Sequence, residues 1–211
     1  MDQSSTNTQQ SLKALALVCS LRPSPSESSS DLLVCQVLEE MKQYNVDSTV
    51  LRVADYTIKP GVATDMGDGD DWPKIRQQML DADIFIIATP TWVGHMSSIA
   101  MSIVERLDAE ISETDDAGRM MTYGKVGGVV VVGNEDGAHK ICGDLFQVLS
   151  DVGFSLPAGA ATYWNGEAMN KVDYKDLDKT PDAVATTNKS MAANIVHLAR
   201  LLKTKPYPPV N

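Results

Sequence analysis

The sequence predicts a doubly wound parallel α/β sheet with helices on both faces, and three observations carry that expectation. The stretch Asp83 to Leu107 reads DIFIIATP, then TWVGHMSS, then IAMSIVERL at helical spacing. Its near-continuous apolar run, Ile84 to Thr89, suits a central parallel strand covered from both sides. Ile99, Ile103, Val104 and Leu107 then share the face of a helix that packs back onto the sheet. Second, Val126 to Val132 is the longest β-branched run in the chain and has to be a core strand. Third, five strand patterns alternate with five helical ones from end to end, as βαβ winding requires.

Taken in order, residues 1–12 form a polar, disordered N-terminal segment with nothing to bury. A single domain spans residues 13–203. Ala14 to Cys19 is the first strand; the loop SLRPSPSESSS leads into a helix over 31–44. Ser48 to Val53 is the second strand and Asp55 to Asp71 an irregular insertion. Trp72-Pro73 opens a helix to Asp81, because proline suits a first helical turn. In the central strand Pro90, with no N–H to give, ends the ladder. Ser97 or Ser98 caps the next helix. Residues 111–124 connect to the Val126 strand, Gly133 to Gly137 is a turn, and 138–152 is helical. Phe154 to Ala158 is the fifth strand, 159–181 a polar excursion, 182–203 the closing helix and 204–211 a tail.

Composition narrows the function. Eighteen basic against 28 acidic residues gives a net charge of −10, which argues against nucleic acid or an acidic membrane as the main partner. Cys19, Cys35 and Cys142 are widely spaced and form no C-x-x-C pair, so neither a disulfide framework nor a metal knuckle is indicated and a cytoplasmic setting fits. The apolar run Leu12 to Leu21 is shorter than the roughly 20 residues that span a bilayer.

For such a sheet the strand order 2-1-3-4-5 competes with a dinucleotide-binding order. The loop after strand one has no glycine, where a dinucleotide fold would show G-x-G-x-x-G. A phosphate-accepting receiver would need aspartate where Thr89-Pro90 stands. In the 2-1-3-4-5 order, three informative loops converge. The first offers the hydroxyls of Ser20, Ser28, Ser29 and Ser30, the guanidinium of Arg22 and a helix start, a set suited to a phosphate monoester; it also reads as a flexible serine-rich loop with Ser30 as helix cap. The second, Pro90, Thr91, Trp92, Val93, Gly94 and His95, presents backbone groups and a flat ring to a planar heterocycle, or Trp92 to a partner subunit. The third, Gly133 through Asn134, Glu135 and Asp136 to Gly137, can turn N–H groups towards a reduced ring, or is an ordinary turn. One phosphate pocket, one ring-edge loop and one N–H-rich loop together describe a site for FMN.

The segments SLRPSPSESSSDLL and ATPTWVGHMSSIAMSIVERLD resemble the phosphate loop and the ring-binding loop and helix of the NADPH-dependent FMN reductase and multimeric-flavodoxin group, which has the flavodoxin-like fold. The pattern small-Thr-Pro-x-(Tyr/Trp)-x-Gly-x-x-Ser, then a helix closing with Arg and Asp, is met by Ala88, Thr89, Pro90, Trp92, Gly94, Ser97, Arg106 and Asp108. The resemblance covers residues 14–158. It implies that Ser20, Arg22, Ser28, Ser29 and Ser30 hold the FMN phosphate, while Pro90 to His95 and Asn134 to Gly137 line the isoalloxazine. It implies NADPH or NADH as co-substrate, a small acceptor such as free flavin or a quinone, and a homodimer or homotetramer. Three departures stand out. Cys19 replaces the usual glycine before the first serine, and the loop has two prolines. Residues 55–71 lack the cysteines of iron-sulfur members. Asp151-Val152 stands where the quinone-reductase branch places histidine.

Other features are weaker. The acidic run Asp65 to Asp71 lacks the spacing of a calcium loop and reads as solvated. His95, His139 and His197 form no metal set; His95 alone invites a ligand or proton role. Tyr163 and Trp164 would cover the flavin or a partner subunit. A flavodoxin-like electron carrier is the alternative to the enzyme, opposed by Arg22 and by the extra length from 159 to 211. A flavin-binding regulatory protein is a third reading.

Overall fold

The computed structural model describes residues 11–168 and 170–210; of the disordered segment expected over residues 1–12 only Ser11 and Leu12 fall among them, and Leu12 is instead buried at the start of the first strand. Among the described residues six strands form, β1 (Leu12–Val18), β2 (Val46–Arg52), β3 (Ile84–Trp92), β4 (His95–Met96), β5 (Val126–Gly133) and β6 (Ala161–Asn165). Between them run α1 (Ser29–Lys42), α2 (Trp72–Asp81), α3 (Ser98–Leu107) and α4 (Ala138–Asp151), and α5 (Asp182–Thr204) closes the chain. The sheet order is β2-β1-β3-β5-β6, parallel throughout, and β4 pairs only with β3, antiparallel. With the β4 hook set aside, this is the 2-1-3-4-5 order.

The two-residue period of β3 explains the layers. Ile84, Ile86 and Ala88 join the core under α1 and α5, whereas Phe85 and Ile87 join the core under α2, α3 and α4. Both faces are dry, so the strand is apolar without alternation.

Three local expectations are corrected. Pro90 does not end the strand: β3 continues to Trp92, and Pro90 sits opposite Val132. The carbonyl of Ala88 turns towards β1 and accepts from Cys19 N at 2.8 Å. Pro90, two residues on, turns the same way, beyond the end of β1 at Val18, so its missing N–H leaves no gap in the ladder. The edge strand is not Phe154 to Ala158. There only Ser155 bridges to Val126; Phe154 is drawn inward to stack on Phe85 at 5.2 Å, and pairing resumes at Ala161. Finally, α1 starts at Ser29, capped by Ser28, whose hydroxyl accepts from Asp31 N at 3.3 Å. Ser30 is therefore not the cap. At α3 the cap is Ser97, accepting from Ala100 N at 3.0 Å.

The insertion before α2 is pinned to the body by a buried ion pair. Arg106 of α3 reaches Asp70 at 2.7 Å, donates to the carbonyls of Lys59 and Ala63, and lies 5.7 Å from the Trp72 ring centre. Asp70 thus departs from the solvated reading of the acidic run. Burial pushes its carboxyl up, but the amide of Met66, the Arg106 guanidinium and the amides of Lys59 and Trp72 outweigh this and hold it below the usual range.

Candidate functional site at the carboxyl end of the sheet

The loops after β1, β3 and β5 meet, and a ring of contacts joins them. The carbonyl of Cys19, at the end of β1, accepts from Ser97 Oγ at 2.6 Å. Val93 N, at the tip of the β3–β4 hairpin, donates to Glu135 Oε1 of the third loop at 2.6 Å. A Cβ on Gly137 would come within 2.8 Å of Gly94 Cα, so the hairpin tip and the start of α4 touch backbone to backbone. From the third loop, Gly133 O accepts from Gly166 N at 2.7 Å and Asn134 Nδ2 donates to Asp173 Oδ1 at 2.7 Å. Lys175 N then donates to Ser29 Oγ at 3.3 Å, which returns the ring to the first loop.

Within the first loop, Ser20 is buried and its hydroxyl donates to Arg22 O at 3.1 Å. The Arg22 side chain is exposed and has no hydrogen-bond or ion-pair partner among the described residues. Ser28 caps α1. Ser30 is buried in its first turn, and its hydroxyl likewise has no partner among the described residues. The amides of Ser29 and Ser30 donate to no protein acceptor among them either, the normal condition of a helix start. The loop's shape is set from beneath by Arg52, at the end of β2: this buried guanidinium donates to the carbonyls of Pro23 and Ser26 and to the Asp31 carboxylate. Asp55 receives the amide and hydroxyl of Ser24, both at 2.7 Å, and the hydroxyl first, then the amide, lower its carboxyl.

The second loop is a two-residue β-hairpin. Thr91 pairs with Met96 and Trp92 with His95, and the turn residues Val93 and Gly94 have φ of +52° and +71°. Both being positive gives a primed turn, whose twist matches the strands. Thr91 and Met96 form the buried face; Trp92 and His95 share the exposed one, with Trp92 51% exposed. The buried Thr91 hydroxyl has no hydrogen-bond partner among the described residues. His95 Nδ1 lies 3.2 Å from Lys140 Nζ. An ammonium only donates, so Nδ1 is the acceptor and the ring proton is on Nε2. In the third loop Asp136 Oδ1 takes Gly137 N at 2.7 Å, and Gly137, with φ of +140°, starts α4. The Val93 and Gly137 amides are thus spent inside the protein, which reduces the inward N–H set expected of this end.

Sequence reasoning missed two contributors. Arg52 acts from a neighbouring strand, and its signal is a lone arginine within the run Val-Leu-Arg-Val. The segment 159–181 reads as an excursion in sequence, yet it supplies Asp173 and Lys175 to the ring. Tyr163 and Trp164 belong to β6: Tyr163 meets His139 Nε2 at 2.8 Å and Trp164 packs on Tyr174, ring centres 5.5 Å apart.

The comparisons with known proteins point the same way. A protein from Streptomyces davaonensis, 8-demethyl-8-aminoriboflavin-5'-phosphate synthase, is 35% identical over 208 residues, 93% of this chain and 80% of that protein. The crystal structure of RosB with the intermediate 8-demethyl-8-formylriboflavin-5'-phosphate superposes with a TM-score of 0.84 at 33% identity, covering 93% of this chain and 82% of that one. A Mycobacterium bovis protein named divalent metal cation transporter MntH is 32% identical over 199 residues, 91% of this chain but 29% of that protein. Among the described residues no helix is long and apolar enough to cross a membrane, and no group of three or more His, Cys, Asp or Glu is placed to hold a metal ion. The model of NADPH-dependent FMN reductases matches residues 12–169. Sheet order, loop geometry and these matches agree: the chain belongs to the NADPH-dependent FMN reductase family, FMN-binding proteins of flavodoxin-like fold.

Proposed function

We propose that this protein holds FMN across the three loops and works as a cytoplasmic NAD(P)H-dependent oxidoreductase serving a small acceptor such as free flavin or a quinone. The observation that carries the reading is the ring of contacts at the switch point of the sheet, where open α/β sheets take their ligands. The residues fit the group. Among the described residues the Arg22 guanidinium, the Ser30 hydroxyl and two helix-start amides have no partner, a set that suits a phosphate monoester. The flat, exposed ring of Trp92 suits a planar heterocycle.

When bound, FMN supplies the redox chemistry, accepting hydride from NADPH or NADH and passing electrons onward. The chain's own residues bind and orient. Ser20, Arg22, Ser28, Ser29 and Ser30 take the phosphate. Arg52 neutralises Asp31, whose carboxylate in the first turn of α1 would otherwise repel a phosphate. Pro90, Thr91, Trp92, Val93, Gly94 and His95, with Asn134, Glu135, Asp136 and Gly137, border the ring system and keep water from one edge. A hydride handed to the flavin would need no proton carrier, so no side chain is assigned as acid or base.

A second reading has a specific support, the likeness to a synthase named for a modified riboflavin-5'-phosphate: the flavin phosphate would be substrate instead of resident cofactor. One experiment separates them. FMN-loaded protein is mixed anaerobically with NADPH or NADH while flavin absorbance is followed, and the flavin is then released and weighed by mass spectrometry. Bleaching with an unchanged flavin mass is the expected outcome. A changed mass favours the second reading, and bleaching by dithionite alone favours an electron carrier.

A further inference from the structure

The late segment brings a cation to the first loop. Lys175 lies in the short 3-10 turn Tyr174–Asp176, and Tyr174 fixes that turn. Its side chain is buried, its hydroxyl donates to Gln36 Oε1 of α1 at 2.6 Å, and its ring packs against Trp164. Held in this way, Lys175 contacts the start of α1 twice. Its backbone N–H donates to Ser29 Oγ, and its ammonium lies 3.6 Å from Glu27 Oε2. The two contacts straddle Ser28, the N-cap. Because Ser29 Oγ accepts from Lys175, the serine's own proton remains available to donate. Asp176 is the ammonium's other partner at 2.6 Å, and that hydrogen bond is the main cause that raises Lys175 above the ordinary lysine value.

We propose that Lys175 is a ligand of the flavin's phosphate, exchanging Glu27 for the phosphate oxygens and joining Arg22 and the serines; this rests on the reading that the first loop takes FMN. The charge balance of the loop favours such a group, with Asp176 kept as the ammonium's nearer partner. A dianionic phosphate at the start of α1 meets two carboxylates, Asp31 and Glu27. Arg52 neutralises Asp31, whereas Lys175 is the only cation paired with Glu27 among the described residues. The Glu27 contact is long and its side chain is 83% exposed, so it holds the ammonium weakly. A phosphate offers three acceptor oxygens and nearly two charges, and takes the ammonium in preference.

The test is titration of deflavinated full-length protein with FMN and with riboflavin, which lacks the phosphate, followed by flavin fluorescence. Lys175→Gln should weaken FMN by about tenfold and leave riboflavin unchanged, with Lys175→Arg restoring much of the loss. Glu27→Gln should tighten FMN alone, because it frees the ammonium; a purely structural Lys175–Glu27 tie predicts that both variants loosen both flavins or neither. If wild-type protein prefers FMN over riboflavin and Lys175→Gln keeps that preference, Lys175 is not a phosphate ligand although the FMN reading stands. If the wild type shows no preference, the first loop is not a phosphate site and both assignments fall. Matching circular dichroism of the variants guards against misfolding.

Discussion

Two arginines near one loop show what a residue's surroundings decide. Arg22 is exposed and unpartnered among the described residues, while Arg52 is buried and donates to carbonyls and a carboxylate. The first was legible as a ligand-binding candidate because it lies among the serines in sequence. The second was not, because strand order, not sequence distance, puts the end of β2 under that loop. Val93 is a residue-scale anomaly of another kind. A β-branched side chain at φ +52° is sterically strained, and at 84% exposure it gains little from burial. Val93→Asn gives the Asn-Gly pair that a primed hairpin turn favours. It should stabilise the fold by about 1 kcal/mol, the lower end of the cost of a left-handed backbone for an ordinary residue. The check is a raised urea midpoint at constant m-value; a lowered one would mean that Val93 packs on something beyond its own chain.

At the scale of elements, the alternation of buried runs with amphipathic helices was enough to read the central strands, the helices and the convergence of the loops. Errors fell where tertiary pairing overrides a local signal. The apolar stretch Phe154 to Ala158 looked like a strand, but Phe154 is used by stacking on Phe85, and the ladder passes to Ala161–Asn165. The short hook β4 was unreadable, since a two-residue strand has no period of its own. That hook depends on a glycine in the next loop. Gly137 has φ of +140°, and a Cβ there would meet the Gly94 backbone at 2.8 Å. Gly137→Ala should therefore push the hairpin from the start of α4 and cost about 1–3 kcal/mol through backbone strain. FMN affinity should fall with it, because the second and third loops lose their common wall. Denaturant unfolding and flavin titration read the two effects separately; full FMN affinity in a destabilised variant would remove this contact from the site.

For the whole molecule, a net charge of −10 disfavours anions in general, so a phosphate is taken only where local cations and helix-start amides converge. The same scale holds the question of assembly. Tyr163 and Trp164 have places within the chain, against His139 and Tyr174, and need no partner subunit to account for them. Trp92 and Val93 remain, adjacent on the hairpin and 51% and 84% exposed. An exposed tryptophan beside an exposed valine on a stiff two-residue turn has the character of an interface anchor, and a two-fold arrangement would set one hairpin against another copy of the same surface. We therefore expect a homodimer or homotetramer, with the hairpin of one subunit bordering the site of another. Light scattering at micromolar concentration with FMN present should give a multiple of 22.8 kDa. Trp92→Ala distinguishes the two uses of the ring. If Trp92 anchors the interface, the mass falls towards the monomer; if it only faces the flavin, FMN affinity drops at unchanged mass. A wild-type mass of one chain would defeat the assembly outright and leave the exposed face of the hairpin to the flavin and its substrates.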